Sequence, residues 1–293
     1  MNKVNLFFIG PIKSGTTSLS SYFNQIQDVY VPIVKENHFF TDLVNEKFKD
    51  TTMQLPQSAR HSFQISKLSN YELLFQTNRN FKYFLDASPT YFVDPKSAKK
   101  IYQYNKNAKI LISYRDPFER LISHANMVKR IKKLNNSIVE IILDDFNRDK
   151  AKQFHDSYLV EYSLYHKALL SYSQYFDKSQ ILVFSQSKLF KNTEENFIKI
   201  LSALNIEKLP PSLNFHKKNQ NSFLAQNRTL KKASKITPQL IKNFIISVEN
   251  KYFGNQQYIL DPFEKDKLES IIQIINKDKN QFLSSSKYFT QIL

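Results

Sequence analysis

Cysteine is absent from the 293 residues. That removes disulfide frameworks and every thiolate metal site at once. No apolar run approaches the length needed to cross a bilayer. The residues ahead of Val4 carry no charged and apolar leader, so a cytoplasmic location is expected, with the acceptor of any reaction found there. Glycine is scarce too: the chain has three, and two of them, Gly10 and Gly15, share one loop. Acidic residues are in deficit. Lys plus Arg numbers 42 against 26 Asp plus Glu, a formal charge of +16. Such a balance favours anionic partners: nucleic acid, an acidic membrane face or a phosphorylated small molecule. Solvation of the surface accounts for many individual lysines without any partner.

The two glycines sit in the stretch that organises the chain, Val4 to Phe23. Val4 to Ile9 is almost wholly apolar, as in a strand buried on both faces of a parallel sheet. Gly10-Pro-Ile-Lys-Ser-Gly-Thr-Thr follows, then Ser18 to Phe23 with Leu19, Tyr22 and Phe23 at helical spacing. Strand, glycine loop and helix start make a phosphate cradle, in which consecutive backbone N–H groups and a helix dipole converge on one anion. The ATPase pattern differs, because it places lysine directly after the second glycine. Here Thr16 occupies that position and the lysine, Lys13, lies inside the loop. An ordinary strand-to-helix turn is the alternative reading of the same residues.

Further along, Asp28–Pro32 reads as a short strand, and Lys35-Glu36-Asn37-His38-Phe39-Phe40 presses titratable groups against two rings. A carboxylate in apolar surroundings is a candidate general base, whereas a surface Lys–Glu pair is its structural counterpart. Residues 44 to 68 read as an irregular polar excursion. Phe81–Asp86 is a second central strand, followed by Ser88-Pro-Thr-Tyr91-Phe. Asp86 either mimics a metal-holding aspartate or accepts hydrogen bonds at the mouth of the sheet. A helix is expected over Pro95–Tyr104 and a strand over Lys109–Tyr114. The next helix has Asp116 as N-cap, Pro117 at its first position and Glu119 placed as in a capping box. Arg115 then stands at the carboxyl end of a strand, where open α/β sheets bind ligands, with Ser123 about two turns along the helix. An Arg fork and a hydroxyl there suit a second phosphate. A long helix over Glu161–Phe176, a strand over Gln180–Phe184 and a helix over Glu194–Leu204 complete the core. Residues 214 to 235 form a basic loop containing Arg228, and helices are expected near 237–251 and 262–280. The expected architecture is one α/β domain over residues 1–293, with a core at about 4–205. It has a central parallel sheet flanked by helices and a helical C-terminal region.

Three stretches fall in order on one edge of that sheet, and together they resemble the sulfotransferases that use 3′-phosphoadenosine 5′-phosphosulfate, in the branch shared by bacterial and glycan enzymes. The resemblance covers roughly residues 4 to 205. It implies that Gly10–Ser18 holds the 5′-phosphosulfate, with Lys13, Ser14, Gly15, Thr16, Thr17 and Ser18 as its contacts. It implies that Lys35–Phe40 is the KE-x-HFF motif, and that the R-D-P-x-x-R…S run of Arg115–Ser123 holds the 3′-phosphate. Arg228 is a further candidate for the donor. Lys13 would neutralise the leaving phosphate, Glu36 would take the acceptor's proton, and His38 is the second candidate base. Asp42, Asp86, Ser88 and Tyr91 join Glu36 and His38 as candidate acceptor contacts. No metal is required. Glycan members often carry aspartate directly after HFF and lysine before Ser-Pro. Thr41 and Ala87 stand at those places, with Asp42 one later, which speaks against a heparan-like acceptor and for a cytosolic sugar or polar natural product. The competing readings are a Mg²⁺-dependent P-loop kinase with Asp86 as metal ligand, and a basic nucleic-acid-binding protein, for which no recognisable motif is present.

Overall fold

The computed structural model describes residues 3–43, 64–148, 158–207, 209–210, 212–215 and 260–293. Its six strands are β1 (Leu6–Phe8), β2 (Val29–Tyr30), β3 (Tyr83–Asp86), β4 (Lys109–Tyr114), β5 (Ile181–Ser185) and β6 (Thr290–Gln291). They form one sheet in the order β2-β3-β1-β4-β5-β6, and every pairing is parallel. Alternation along each strand loads both faces. Leu6, Phe8, Leu85, Leu111, Leu182 and Phe184 pack on one side, with Leu19, Phe23, Phe197 and Leu201. Phe7, Phe84, Ile110, Ile112, Ile181 and Val183 pack on the other, with Phe40, Ile101, Leu169 and Tyr172. Central strands therefore read as unbroken apolar runs.

The helices on these faces are α1 (Thr16–Phe23), α2 (Leu68–Leu73), α3 (Thr90–Val93), α4 (Pro95–Tyr104), α5 (Pro117–Lys132), α6 (Ile138–Asn147), α7 (Tyr165–Ser173), α8 (Gln186–Lys191), α9 (Thr193–Ala203), α10 (Pro262–Lys267) and α11 (Glu269–Leu283). Local chemistry sets several boundaries. Asp94 caps α4 by accepting from Lys96 N, and Asp116 caps α5 by accepting from Phe118 N and Glu119 N. Ser137 and Glu140 close a reciprocal capping box on α6.

The expected helix over 161–176 is broken. Residues Glu161–Ser163 form a single 3₁₀ turn, and Leu164, at φ −92° and ψ 78°, is outside the helical region before α7 starts. The break is tied down from α5: Ser163 Oγ donates to Pro117 O at 2.8 Å and accepts from Arg120 Nε at 2.9 Å. The helix expected near 262–280 is likewise two, interrupted at Leu268. The excursion after residue 43 ends in order, because Ile65 N donates to Asn37 O and Gln64 Nε2 donates to the carbonyls of His38 and Thr41. Its residues 44–63, like the helix expected at 237–251, lie outside the described residues.

Strand order positions the functional edge. From β1 the chain moves to β2 and returns to β3 on one flank, then crosses to β4, β5 and β6 on the other. The loops that follow β1 and β4 therefore diverge from adjacent strands, and between them open α/β sheets leave a binding crevice. Leu6, Phe7 and Phe8 pair with Lys109, Ile110 and Leu111. That register brings residues 10–15 against residues 113–115, a hundred positions away.

Candidate functional site

The loop from Gly10 to Gly15 is pressed onto the end of β4. A Cβ on Gly10 would lie 2.2 Å from Ser113 Oγ and 2.9 Å from the Phe8 ring, so only glycine fits without displacement. Ser113 Oγ is in turn 2.7 Å from Ser14 Oγ, which is 2.6 Å from Pro11 O. The Ser14 side chain thus faces inward, and its N–H donates to Pro11 O at 3.1 Å. Gly15 caps α1 at φ 87°, and a Cβ there would meet the Phe190 ring at 2.8 Å. No backbone bond engages the N–H groups of Lys13, Gly15, Thr16 or Thr17 among the described residues. These donors, at the positive end of α1, are the physical content of the cradle.

Among the described residues, five non-glycine residues adopt positive φ: Lys13, Glu36, His38, Lys133 and Asn205. Lys133 ends a helix, a place where that conformation is routine. The first three are the three candidate catalytic residues, and such strain concentrates where side chains must be aimed. Burial pushes the Lys13 ammonium below its ordinary pKa, and the charges of Arg130, Arg115 and Arg120 act in the same direction. Three arginines thus add positive potential around the Lys13 ammonium, which favours an anion there.

Lys35 and Glu36 meet the cradle at the start of α1. Lys35 Nζ lies 2.7 Å from Glu36 Oε1 and 3.0 Å from Thr17 Oγ1. The Lys–Glu pair foreseen as the structural reading is thus formed, with the Glu36 side chain 20% exposed. His38 is only 1% exposed, and its Nδ1 is 2.8 Å from Thr90 Oγ1. Of the two candidate bases, Glu36 is the more exposed.

The other candidate acceptor residues are placed differently. Asp86, Ser88 and Tyr91 are fully buried. Asp86 Oδ1 accepts from Ser88 Oγ at 2.9 Å, and Oδ2 accepts from Tyr71 OH at 3.0 Å. The Tyr91 hydroxyl lies 2.9 Å from the same Oδ2 and 3.0 Å from Asn37 Oδ1. Burial raises the Asp86 pKa against the effect of these hydrogen bonds. The cluster also reaches the His38 backbone, whose N–H donates to Ser88 Oγ at 3.4 Å. Asp42 faces outward, tied to Lys100 at 2.6 Å and Lys96 at 3.5 Å.

On the β4 side, Arg115 points to Glu119 (Nη2–Oε2 3.1 Å) while its N–H donates to Tyr165 OH. An i,i+4 pair of this kind contributes only about 0.3–0.5 kcal/mol, so an arriving phosphate can displace it. Ser123 is half-buried on α5, and Arg228 lies outside the described residues. Arg120, the second arginine of the R-D-P-x-x-R run, was not among the expected contacts. It is fully buried and donates to Ile12 O in the cradle. The five-residue spacing after Arg115 was the available signal. Its inward direction depends on Ser163 and Leu159, which no local pattern reveals.

A family model for the sulfotransferase domain matches residues 3–251. The crystal structure of a sulfotransferase from Alicyclobacillus acidocaldarius superposes with a TM-score of 0.64 at 21% identity, covering 93% of this chain and 97% of that one. The sulfotransferase domain of the Synechococcus PCC 7002 olefin synthase superposes at 0.51 with 14% identity, covering 94% of each chain. At these identities both speak for the fold. The membrane-associated sulfotransferase kil1 of Dictyostelium discoideum is 28% identical over 133 residues, which are 45% of this chain and 25% of that protein. The chain thus spans about a quarter of that relative's length. Among the described residues no helix is long and apolar enough to cross a membrane.

Proposed function

The chain belongs to the sulfotransferase domain family, and from that premise we propose that it transfers a sulfuryl group from 3′-phosphoadenosine 5′-phosphosulfate to a hydroxyl or amine of a small polar molecule in the cytoplasm, such as a sugar or natural product. One observation carries the choice of donor. Four N–H groups of the cradle lack backbone partners beside Lys13, and the first arginine across the crevice, Arg115, is held only by a weak surface pair. Two separated anionic groups on one ligand match that arrangement. Bound there, the donor supplies an activated sulfuryl group on a phosphate leaving group.

The chain's own residues supply the rest. The N–H groups of Gly15, Thr16 and Thr17 fix the phosphate, and the Lys13 ammonium opposes charge growing on the departing oxygen. Glu36 takes the proton from the attacking group, and its bond to Lys35 holds it beside Thr17. Ser14 contributes by holding the loop to β4 through its hydroxyl, and Asp86, Ser88 and Tyr91 shape the acceptor side indirectly. In the kinase reading Asp86 binds a metal, yet both its carboxylate oxygens already accept hydroxyl protons.

The test is titration of the protein with adenosine 3′,5′-bisphosphate in the absence of divalent cations, beside ADP with Mg²⁺. Preferential binding of the bisphosphate is expected, and preference for Mg·ADP would establish the kinase reading instead. Mass spectrometry of a metabolite extract, incubated with donor and enzyme, then identifies the acceptor by its gain of SO₃.

A further inference from the structure

The sequence places Arg120 within the run that contacts the distal phosphate, but its side chain is directed elsewhere. It is completely buried, and the carboxylate whose charge reaches it is that of Glu161. Its hydrogen-bond partners are two carbonyls, a hydroxyl and a histidine ring nitrogen. Nε bonds to Ser163 Oγ at 2.9 Å, Nη1 to Ile12 O at 3.1 Å and to His124 Nδ1 at 3.2 Å, and Nη2 to Leu159 O. The Tyr162 ring lies beneath the guanidinium, 5.9 Å from its centre. Burial of the guanidinium is costly and lowers its pKa to about 10, so a purely structural clamp would be better served by a neutral donor.

Ile12 immediately precedes Lys13. The peptide joining them is trans, and its C=O and N–H therefore point in opposite directions. With the carbonyl held by Arg120, the Lys13 N–H must point away from the buried guanidinium. Rotation of this peptide would change the φ of Lys13, which stands at 73° in the left-handed region that a lysine ordinarily avoids. The Arg120–Ile12 bond thus opposes the peptide rotation that would release Lys13 from this conformation.

We propose that Arg120 is a positioning residue for the anion cradle: its guanidinium fixes the Ile12–Lys13 peptide so that the Lys13 N–H and ammonium both serve the bound phosphate, while its charge adds to the field there. It touches no ligand itself. The inference rests on the donor reading above, and the wild-type arm of the experiment separates the two.

The probe is adenosine 3′,5′-bisphosphate, titrated by calorimetry into wild type, Arg120→Met and Arg120→Lys, each checked for folding by circular dichroism. Methionine retains an unbranched stem like that of arginine but removes charge and donors, and a loss of about 10- to 100-fold in affinity is expected, the scale of one charge-assisted hydrogen bond. Lysine restores the charge and one donor and should fall between the two. In wild type, the Lys13 amide proton resonance should move downfield on saturation while the Arg120 guanidinium signals stay in place. A folded Arg120→Met that binds as wild type does overturns the proposal. If that variant fails to fold, the amide measurement decides: an unmoved Lys13 amide, or guanidinium signals that shift as a direct ligand's would, refutes it. If wild type itself does not bind the bisphosphate, the donor reading falls and takes this inference with it.

Discussion

Gly10→Ala tests whether contact between β1's loop and β4 holds the cradle together. The added methyl would lie 2.2 Å from Ser113 Oγ, with the Phe8 ring at 2.9 Å and Ser14 Oγ at 3.0 Å. The 2.2 Å contact is more than an ångström inside ordinary van der Waals separation. Ser113 can relieve it by rotating its hydroxyl, but that breaks the 2.7 Å bond to Ser14 at a fully buried position. Overpacking of this kind costs about 1–3 kcal/mol, and a buried hydroxyl left unpaired adds about 1–3 kcal/mol. The expected loss is therefore about 2–6 kcal/mol. Ser113→Ala alone should cost about 1 kcal/mol, because Ser14 keeps Pro11 O as a partner. In the double variant the 2.2 Å contact disappears, so the loss should fall short of the sum by about 1–2 kcal/mol. Urea unfolding of the four proteins measures this coupling. Titration with adenosine 3′,5′-bisphosphate should show affinity lost in Gly10→Ala and partly recovered in the double variant. Gly10→Ala with wild-type stability, or strict additivity in the cycle, would refute the reasoning.

Other expectations follow from the same geometry. Lys13→Ala should fold normally and lose roughly 10²–10³ in turnover; near-normal turnover in a single-turnover assay would remove Lys13 from the chemistry. Arg115→Ala should raise the donor KM far more than it lowers kcat, and undiminished preference for donor bearing the 3′-phosphate would contradict its assignment. Glu36→Gln should keep ligands bound, lose roughly 10²–10⁴ in kcat and abolish the acidic limb of the pH–rate profile, whereas loss of that limb in His38→Ala alone would transfer the role to His38. For Asp116, burial raises the pKa, but the Lys279 bond and the capping N–H groups of Glu119 and Phe118 outweigh it, leaving the carboxyl below its ordinary value. Its stabilising contribution is present above the unfolded pKa of about 4 and is lost as pH falls through the folded value. Asp116→Asn should thus flatten this part of the acid-unfolding curve, and an unchanged curve would show that the Lys279 pair contributes nothing.

The parallel sheet and the cradle were legible because their causes are local. A strand buried on both faces announces itself in consecutive apolar residues, as Val4–Ile9 and Lys109–Tyr114 do, and the helix of Pro117–Lys132 announces its start in Asp116-Pro117. Scarcity helped as well, since two of three glycines fall where a close approach and a φ of 87° demand them. Tertiary structure decided what each side chain faces. Asp86 ends a strand in either account, but beside the nearby hydroxyls of Ser88 and Tyr91 it is bonded by that of Tyr71, which α2 brings to it. Asp42 turns to Lys96 and Lys100, and the hydroxyl of Ser14 turns inward to Ser113. The two-residue strand β6 is too short to announce itself and exists because β5 offers an edge, with Ile292 N bonding to Val183 O at 2.8 Å. Arg120 shows the division most sharply. Its place in the R-D-P-x-x-R spacing is written in the chain, whereas its direction is set by carbonyls and a hydroxyl from Ile12, Leu159 and Ser163, 39 to 108 residues away. Local sequence settles which backbone forms, and the destination of a long charged side chain is settled only when distant segments pack around it.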